Sequence, residues 1–315
     1  MTVRVKTSEQ PSATLIAIDW GSSNRRAYMV DCQGTVLETR QDNHGILNIE
    51  NDAFAAALYP FIAGWRNEEN DRLPVLMSGM IGSRQGWIEA PYVSSPASPA
   101  DLAASVMAVP DTENVWIVPG VCLDPEGERR DVIRGEEVQV IGALDQTGRT
   151  SAVLCLPGTH SKWVHAGDGY LLDFATAMTG EVFKVMCEYS ILGTLMRHGA
   201  RHDPDAFVHG LDAAAEPGGL LNHMFRLRAD GLFGVTSEDQ QASYLSGLLI
   251  GHEIRDLDKS FSEDSGEVLI VGSNWLVEIY SEALGHMDIP FQTINGHNAT
   301  VRGLNAVWAS RRETD

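Results

Sequence analysis

The chain has 315 residues, of which 43% are hydrophobic and 21% charged, and it carries a net charge of -20. These values describe a globular protein, not a disordered or membrane-embedded one, and the length allows two domains of roughly 100 to 200 residues each. The acidity repels nucleic acid and anionic membrane, so any phosphorylated ligand needs a local site built from backbone N–H groups or a bound divalent cation.

The four cysteines, Cys32, Cys122, Cys155 and Cys187, are widely spaced and form no C-x-x-C pair, which predicts reduced, packed thiols. The N-terminus, MTVRVKTSEQPS, lacks the apolar stretch of a signal peptide, and no run of about 18 apolar residues occurs. A cytoplasmic location is expected.

Thr14 to Asp19 reads as a buried strand ending at an acidic residue and a glycine turn. Arg26 to Val30 and Thr35 to Arg40 form a predicted hairpin around Asp31-Cys32-Gln33-Gly34. Asp52 to Trp65 has helical spacing that Pro60 should divide, and Val75 to Met77 is a short strand. A long loop, SGMIGSRQGWIEAPYVSSPASP, follows. Val115 to Val118 reads as a strand and Glu136 to Asp145 as a helix. Ala152 to Leu156 is a second buried strand, with a β-rich pair around Gly167-Asp168-Gly169, so the opening arrangement recurs. Beyond Thr179 the chain is mainly helical, with Gln240 to Ile254 the longest candidate. Glu267 to Val271 is a strand leading to Gly272, Trp275 to Leu284 a helix, and about Thr300 to Ser310 the last helix.

Asp19-Trp20-Gly21-Ser22-Ser23-Asn24 suits phosphate: the turn can present N–H groups to oxygens while Asp19 holds a metal or its water. Alone, the hexapeptide equally suits a plain hairpin turn. Leu156-Pro157-Gly158-Thr159-His160-Ser161-Lys162 repeats this character, although His160 is more often a structural hydrogen-bond partner than a catalyst. Glu136 and Glu137 open a helix, where carboxylates are favoured by the dipole even without a function; one of them facing a cleft would accept a proton from an attacking hydroxyl. Val271-Gly272-Ser273-Asn274 lies at a strand-to-helix junction where a nucleoside can approach the backbone, and a helix N-cap at Ser273 or Asn274 explains it equally well. Arg84 and Trp87 are candidate substrate contacts, an Arg being able to grip a carboxylate through two hydrogen bonds. No G-x-x-x-x-G-K-[ST] or G-x-G-x-x-G string occurs, and Asp256 stands where a zincin would need its second His.

Taken in order, the Asp19 turn, the Glu136 helix, the Gly158 turn and the Gly272 turn resemble the actin, heat-shock chaperone and sugar-kinase superfamily. Within it the chain resembles the 2-dehydro-3-deoxygalactonokinase family, through IAIDWGSSNRRAY, SGMIGSRQGWIEAPY, RGEEVQVIGAL, LPGTHSKWV, MTGEVF and NATVRGL. The resemblance implies an α/β fold of two ribonuclease-H-like, actin-like ATPase lobes about a nucleotide cleft. The expected division is 1–130 for the first lobe with a substrate loop, 131–298 for the second with a helical insertion, and 299–315 for a helix packing back on the first.

The resemblance further implies transfer of the ATP γ-phosphate to the terminal C6 hydroxyl of 2-dehydro-3-deoxy-D-galactonate in galactonate catabolism. Another 2-keto-3-deoxy sugar acid, or phosphohydrolysis on the same fold, is the alternative. Asp19 would orient Mg²⁺, Gly21, Ser22, Ser23, Gly158, Thr159 and His160 would line the phosphates, and Gly272 and Ser273 would meet the nucleoside. Glu136 or Glu137 would be the base, and Ser83, Arg84, Trp87 and Arg134 would hold the sugar acid. Val-Gly-Ser-Asn departs from the usual Gly-Gly pair of the adenosine motif, and Ser-Ser-Asn replaces the common Thr of the first turn. The expected partners are ATP and a small sugar acid, with no nucleic acid and no membrane, and a homodimer is the usual assembly.

Overall fold

The computed structural model describes residues 12–66, 72–261 and 266–312, so the N-terminal segment read for a leader and the last three residues fall outside the described residues. The chain forms two compact units. One gathers the chain up to Cys122, Val132–Asp145 and the segment from Thr300; the other gathers Leu123–Asp131 and Gln146–Ala299. Both units are discontinuous along the chain, and the segment from Thr300 falls with the first. Val132–Asp145 groups with the first because its glycine entry rests on the end of a first-unit strand, a Cβ on Gly135 standing 3.1 Å from the Gly79 Cα.

The first unit is built on β1 (Ala13–Trp20), β2 (Arg25–Asp31), β3 (Val36–Asp42) and β4 (Val75–Ser78). The short strands β5 (Tyr92–Ser94), β6 (Met107–Ala108), β7 (Val115–Ile117), β8 (Gly120–Leu123) and β9 (Asp131–Ile133) follow. Six of them form one sheet in the order β3-β2-β1-β4-β7-β6, while β5, β8 and β9 form a smaller one. β1 is central because its apolar run suits burial on both faces: Leu15, Ile16, Ala17, Ile18 and Trp20 are fully buried. β3, at the edge, carries Glu38, Arg40 and Asp42, charges that discourage pairing with another chain. Helix α1 (Phe54–Phe61) contributes Phe54 and Leu58 to the core and ends one residue after Pro60. Two more helices follow, α2 (Pro99–Ala104) and α3 (Glu136–Thr147).

The second unit repeats the plan with β10 (Ala152–Leu156), β11 (Ser161–Gly167), β12 (Tyr170–Ala177), β13 (Val268–Gly272) and β14 (Phe291–Asn295), in the order β12-β11-β10-β13-β14. In both units the first three strands pair antiparallel, and the first and fourth pair parallel. Between β12 and β13 lie α4 (Thr179–Tyr189), α5 (Pro204–Ala213), α6 (Leu220–Leu232) and the 21-residue α7 (Gln241–Phe261); α8 (Asn274–His286) follows β13. The core packs Trp163, Phe207, Leu211, Ile254 and Ile270 between sheet and helices. β14 escapes local sequence reading because FQTIN is half polar, and only its backbone pairing with β13 defines it. The final helix, α9 (Gly296–Arg312), meets α3 and β7 in the first unit: Arg302 pairs with Asp145 at 2.7 Å, and Trp308 lies against Trp116.

Candidate active site

In the first unit Asp19, one residue before the end of β1, is the register partner of Ser78 on β4 and of Arg26 on β2. Parallel pairing thus brings the carboxylate beside the Ser78-Gly79 corner. Gly79 has φ of +93°, and an added Cβ would lie 3.0 Å from the Trp20 carbonyl and 3.3 Å from Asp19 Oδ1. Only glycine fits there without strain. Asp19 keeps part of its surface open, yet enough protein surrounds it that desolvation pushes its pKa up to about 6, against an opposing pull from Arg26 and with a further push from Glu136.

The turn after Asp19 is held from outside. Gly45, Ile46 and Leu47 donate backbone N–H bonds to the carbonyls of Ser23, Gly21 and Ser22 at 3.0, 3.0 and 3.1 Å. With these carbonyls engaged, the turn is fixed independently of any ligand.

Glu136 and Glu137 differ in surroundings. Glu137 is completely buried; its Oε2 accepts the Gly135 N–H at 2.7 Å, and its Oε1 has no hydrogen-bond partner. Burial, with the charge of Glu136, pushes its pKa up to about 8, so it is largely protonated at neutral pH. Glu136 is half-buried and accepts the Arg134 N–H at 3.0 Å.

The substrate-loop residues separate. Arg134 donates through Nη2 to the Ala90 carbonyl at 2.8 Å and lies over the Tyr92 ring, while Nε and Nη1 are buried without partners. Ser83 Oγ and Ser78 Oγ are also buried and unpartnered. Buried polar atoms lacking partners are few in folded proteins, and several around one corner suggest bonds completed by a ligand. Trp87 instead packs on Phe54 at 6.1 Å between ring centres, at the margin of the core. Arg84 is exposed, with Glu89 3.6 Å away.

In the second unit the Gly158 turn stands where the Gly21 turn stands in the first, between the first strand and its hairpin. The start of α4 packs against it: the Glu181 N–H donates to the Thr159 carbonyl at 2.9 Å, and His160 Nε2 meets Glu181 Oε2 at 2.5 Å. Lys162, 5% exposed, donates to the His160 carbonyl at 2.9 Å. Thr179, the first residue of α4, donates to buried Glu253, which also accepts Trp163 Nε1 and the Tyr280 hydroxyl, each at 2.9 Å. Gly272 ends β13 and Ser273 caps α8 by position, but its side chain makes no capping hydrogen bond. Beside the first turn of α8 a cavity of about 450 Å³ is lined by Trp275, Ile279, Phe183, Met196, Ser243 and Ser246.

Sequence reasoning passed over Ser78, Gly79, Lys162, Glu253 and Trp275. The first three lie inside the strings SGMIGSRQGW and LPGTHSKW, so a signal existed; Glu253 drew notice only in the zincin-like His252-Glu253 pair that Asp256 rules out, and Trp275 had no signal stronger than aromaticity. Among the described residues no group of three or more His, Cys, Asp or Glu is placed to hold a metal ion. One largely desolvated carboxylate beside a glycine turn is nonetheless compatible with Mg²⁺, which takes one or two carboxylates when phosphates and water supply its remaining ligands. No helix among the described residues is long and apolar enough to cross a membrane.

Two α/β units whose first four strands share the order 3-2-1-4, each with a glycine turn after its first strand, define the actin-like ATPase and sugar-kinase fold. An activator of 2-hydroxyisocaproyl-CoA dehydratase from Clostridium difficile shares this fold at a TM-score of 0.51 and 11% identity, covering 95% of this chain and 96% of that one. A family profile described as 2-keto-3-deoxy-galactonokinase matches residues 19–307, and the chain belongs to that family. It is 34% identical over 297 residues to the 2-dehydro-3-deoxygalactonokinase of Escherichia coli K12, covering 94% of this chain and 98% of the relative. A solved structure described as a candidate 2-dehydro-3-deoxygalactonokinase from Sinorhizobium meliloti superposes at a TM-score of 0.87 with 32% identity, covering 95% of this chain and 99% of that one. Membership of a kinase family implies ATP as a substrate.

Proposed function

We propose that this protein transfers the γ-phosphoryl group of ATP to the C6 hydroxyl of 2-dehydro-3-deoxy-D-galactonate. Family membership supports the reaction class and the named relatives support the substrate. The observation that carries the site is the group of unpartnered buried polar atoms, Ser78 Oγ, Ser83 Oγ, Arg134 Nε and Nη1 and Glu137 Oε1, around the end of β4 next to Asp19.

In this reading Arg134, anchored by Ala90 and Tyr92, offers its free N–H groups to the substrate carboxylate, and Ser78 and Ser83 serve its hydroxyls. Glu136, the more open of the two glutamates, takes the C6 hydroxyl proton as that oxygen attacks phosphorus and ADP departs. Glu137 stays protonated and holds the Gly135 turn. Asp19 would hold Mg²⁺, which when bound supplies positive charge opposite the phosphate oxygens. Backbone N–H groups of the Gly21 and Gly158 turns would cradle the phosphates, and the cavity by Trp275 would take the adenine. The cytoplasm is the expected location.

The deciding assay couples ADP release to added 2-dehydro-3-deoxy-D-galactonate, with the gluconate- and arabinonate-derived keto acids as comparators. Turnover highest with the galactonate derivative supports the proposal. Turnover no faster than the acid-free rate overturns it, and phosphate release without any sugar acid would point to hydrolysis instead.

A further inference from the structure

α6 is apolar on two adjacent faces, about 100° apart. Its inner face, Leu220, Met224 and Leu227, packs on Leu245, Leu249, Leu192 and Met196. Its outer face carries Leu221, Phe225 and Leu232, which are 81%, 67% and 63% exposed, and Phe233 just beyond the helix is 85% exposed. Positions 221, 225, 228 and 232 share one side of a helix. Arg228 in that row reaches across to the Ile191 carbonyl at 3.2 Å and Thr194 Oγ1 at 2.9 Å, which brings Tyr189 and Ile191, 79% and 58% exposed, alongside. Asn222, Arg226 and Asp230 occupy the remaining side, so the apolar stripe of α6 is wider than the part that the rest of the chain covers.

Two further observations specify what covers it. The six exposed side chains leave on the order of 700 Å² of largely apolar surface, taking roughly 150 to 200 Å² for each when fully exposed. As a sum over separate side chains this is comparable with the about 800 Å² that each partner contributes to a standard interface. The second is charge. The chain has 43 acidic residues in 315 and a net charge of -20, so two copies repel over most of their surfaces. Tyr189–Gly199 contains no Asp or Glu, and Asp230 is the one acidic residue of α6. This is a face on which a second acidic copy can settle.

We propose that the outer face of α6, with Tyr189 and Ile191, is the contact surface of a symmetric homodimer. A row along one helix is self-complementary about a two-fold axis: each Phe225 packs into the stripe of the other copy, and the same patch serves both chains. The interface lies wholly within the second unit and does not depend on the substrate assignment.

Sedimentation velocity of the full chain tests this, with an expected species of twice the 34.3 kDa chain mass. The double variant F225E/L232E is expected to halve that mass while keeping the wild-type circular dichroism spectrum. Leu47→Glu, at a residue 68% exposed in the first unit, should remain dimeric. Hydrogen exchange on the wild type provides a readout free of folding effects: protection of the α6 peptides should rise with protein concentration. A monomeric wild type, a dimer that survives the double substitution, or α6 exchange independent of concentration overturns the proposal.

Discussion

Gly180, the second residue of α4, lies against Gly158: a Cβ on Gly180 would stand 2.5 Å from the Gly158 carbonyl oxygen and 2.9 Å from the Thr159 Cα. The second glycine turn is therefore shaped by a helix that begins more than twenty residues later in the chain. Gly180→Ala has no flexible neighbour to displace and must push the turn itself. Turnover is expected to fall by one to two orders of magnitude, the scale of a displacement near 1 Å, while the melting temperature drops only modestly. Steady-state kinetics beside a thermal melt check this, and a variant with wild-type kinetics would remove the turn from the mechanism.

Asp19 carries the pH dependence of the proposed reaction. Its pKa is pushed up to about 6, so the ionised form that would hold a cation is lost as pH falls through that value. The kcat/KM at limiting Mg²⁺ should decline below about pH 6, and saturating Mg²⁺ should move the decline to lower pH. Asp19→Asn should remove most activity yet fold at least as stably at pH 7, because it eliminates a carboxylate that folding desolvates.

Glu137 predicts a stability slope in the neutral range. Its folded pKa of about 8 lies above the ordinary value of 4.5, so folding disfavours the charged form. The contribution is fully favourable below about pH 4.5 and is lost as pH rises through 8. Glu137→Gln should flatten this part of the profile, by an amount on the order of a few kcal/mol between the two limits. Urea denaturation at a series of pH values gives the comparison; parallel profiles for the two proteins would contradict the burial argument.

Glu253 links three parts of the second unit through Trp163, Thr179 and Tyr280. Glu253→Ala leaves buried donors without an acceptor and should cost about 3 kcal/mol or more in unfolding free energy. Glu253→Gln keeps one acceptor oxygen and should cost less. Equal losses in equilibrium unfolding would show that packing, not hydrogen bonding, is what Glu253 provides.

Trp275, 60% exposed beside the 450 Å³ cavity, should stack on adenine in the proposed reading. Losing one base–aromatic contact is worth about 1 to 3 kcal/mol. Trp275→Ala should accordingly raise the KM for ATP at least about fivefold and leave the KM for the sugar acid unchanged. Equal shifts in both constants would argue against a nucleoside contact.

Much of this protein is local and therefore legible along the chain. β1 and β10 announce themselves as apolar runs, their hairpins close on glycine, and the strings around Asp19, Ser83, Glu136 and Gly158 carry the family resemblance, because strand burial and turn geometry depend on neighbours a few residues apart. What folding alone decided involves distant partners. Gly135 rests on Gly79, and Thr179 bonds to Glu253, contacts between segments 56 and 74 residues apart that no periodicity encodes. Adjacent Glu136 and Glu137 look alike in sequence, yet only one is sealed in the interior, since helical neighbours point about 100° apart and only packing chooses which faces inward.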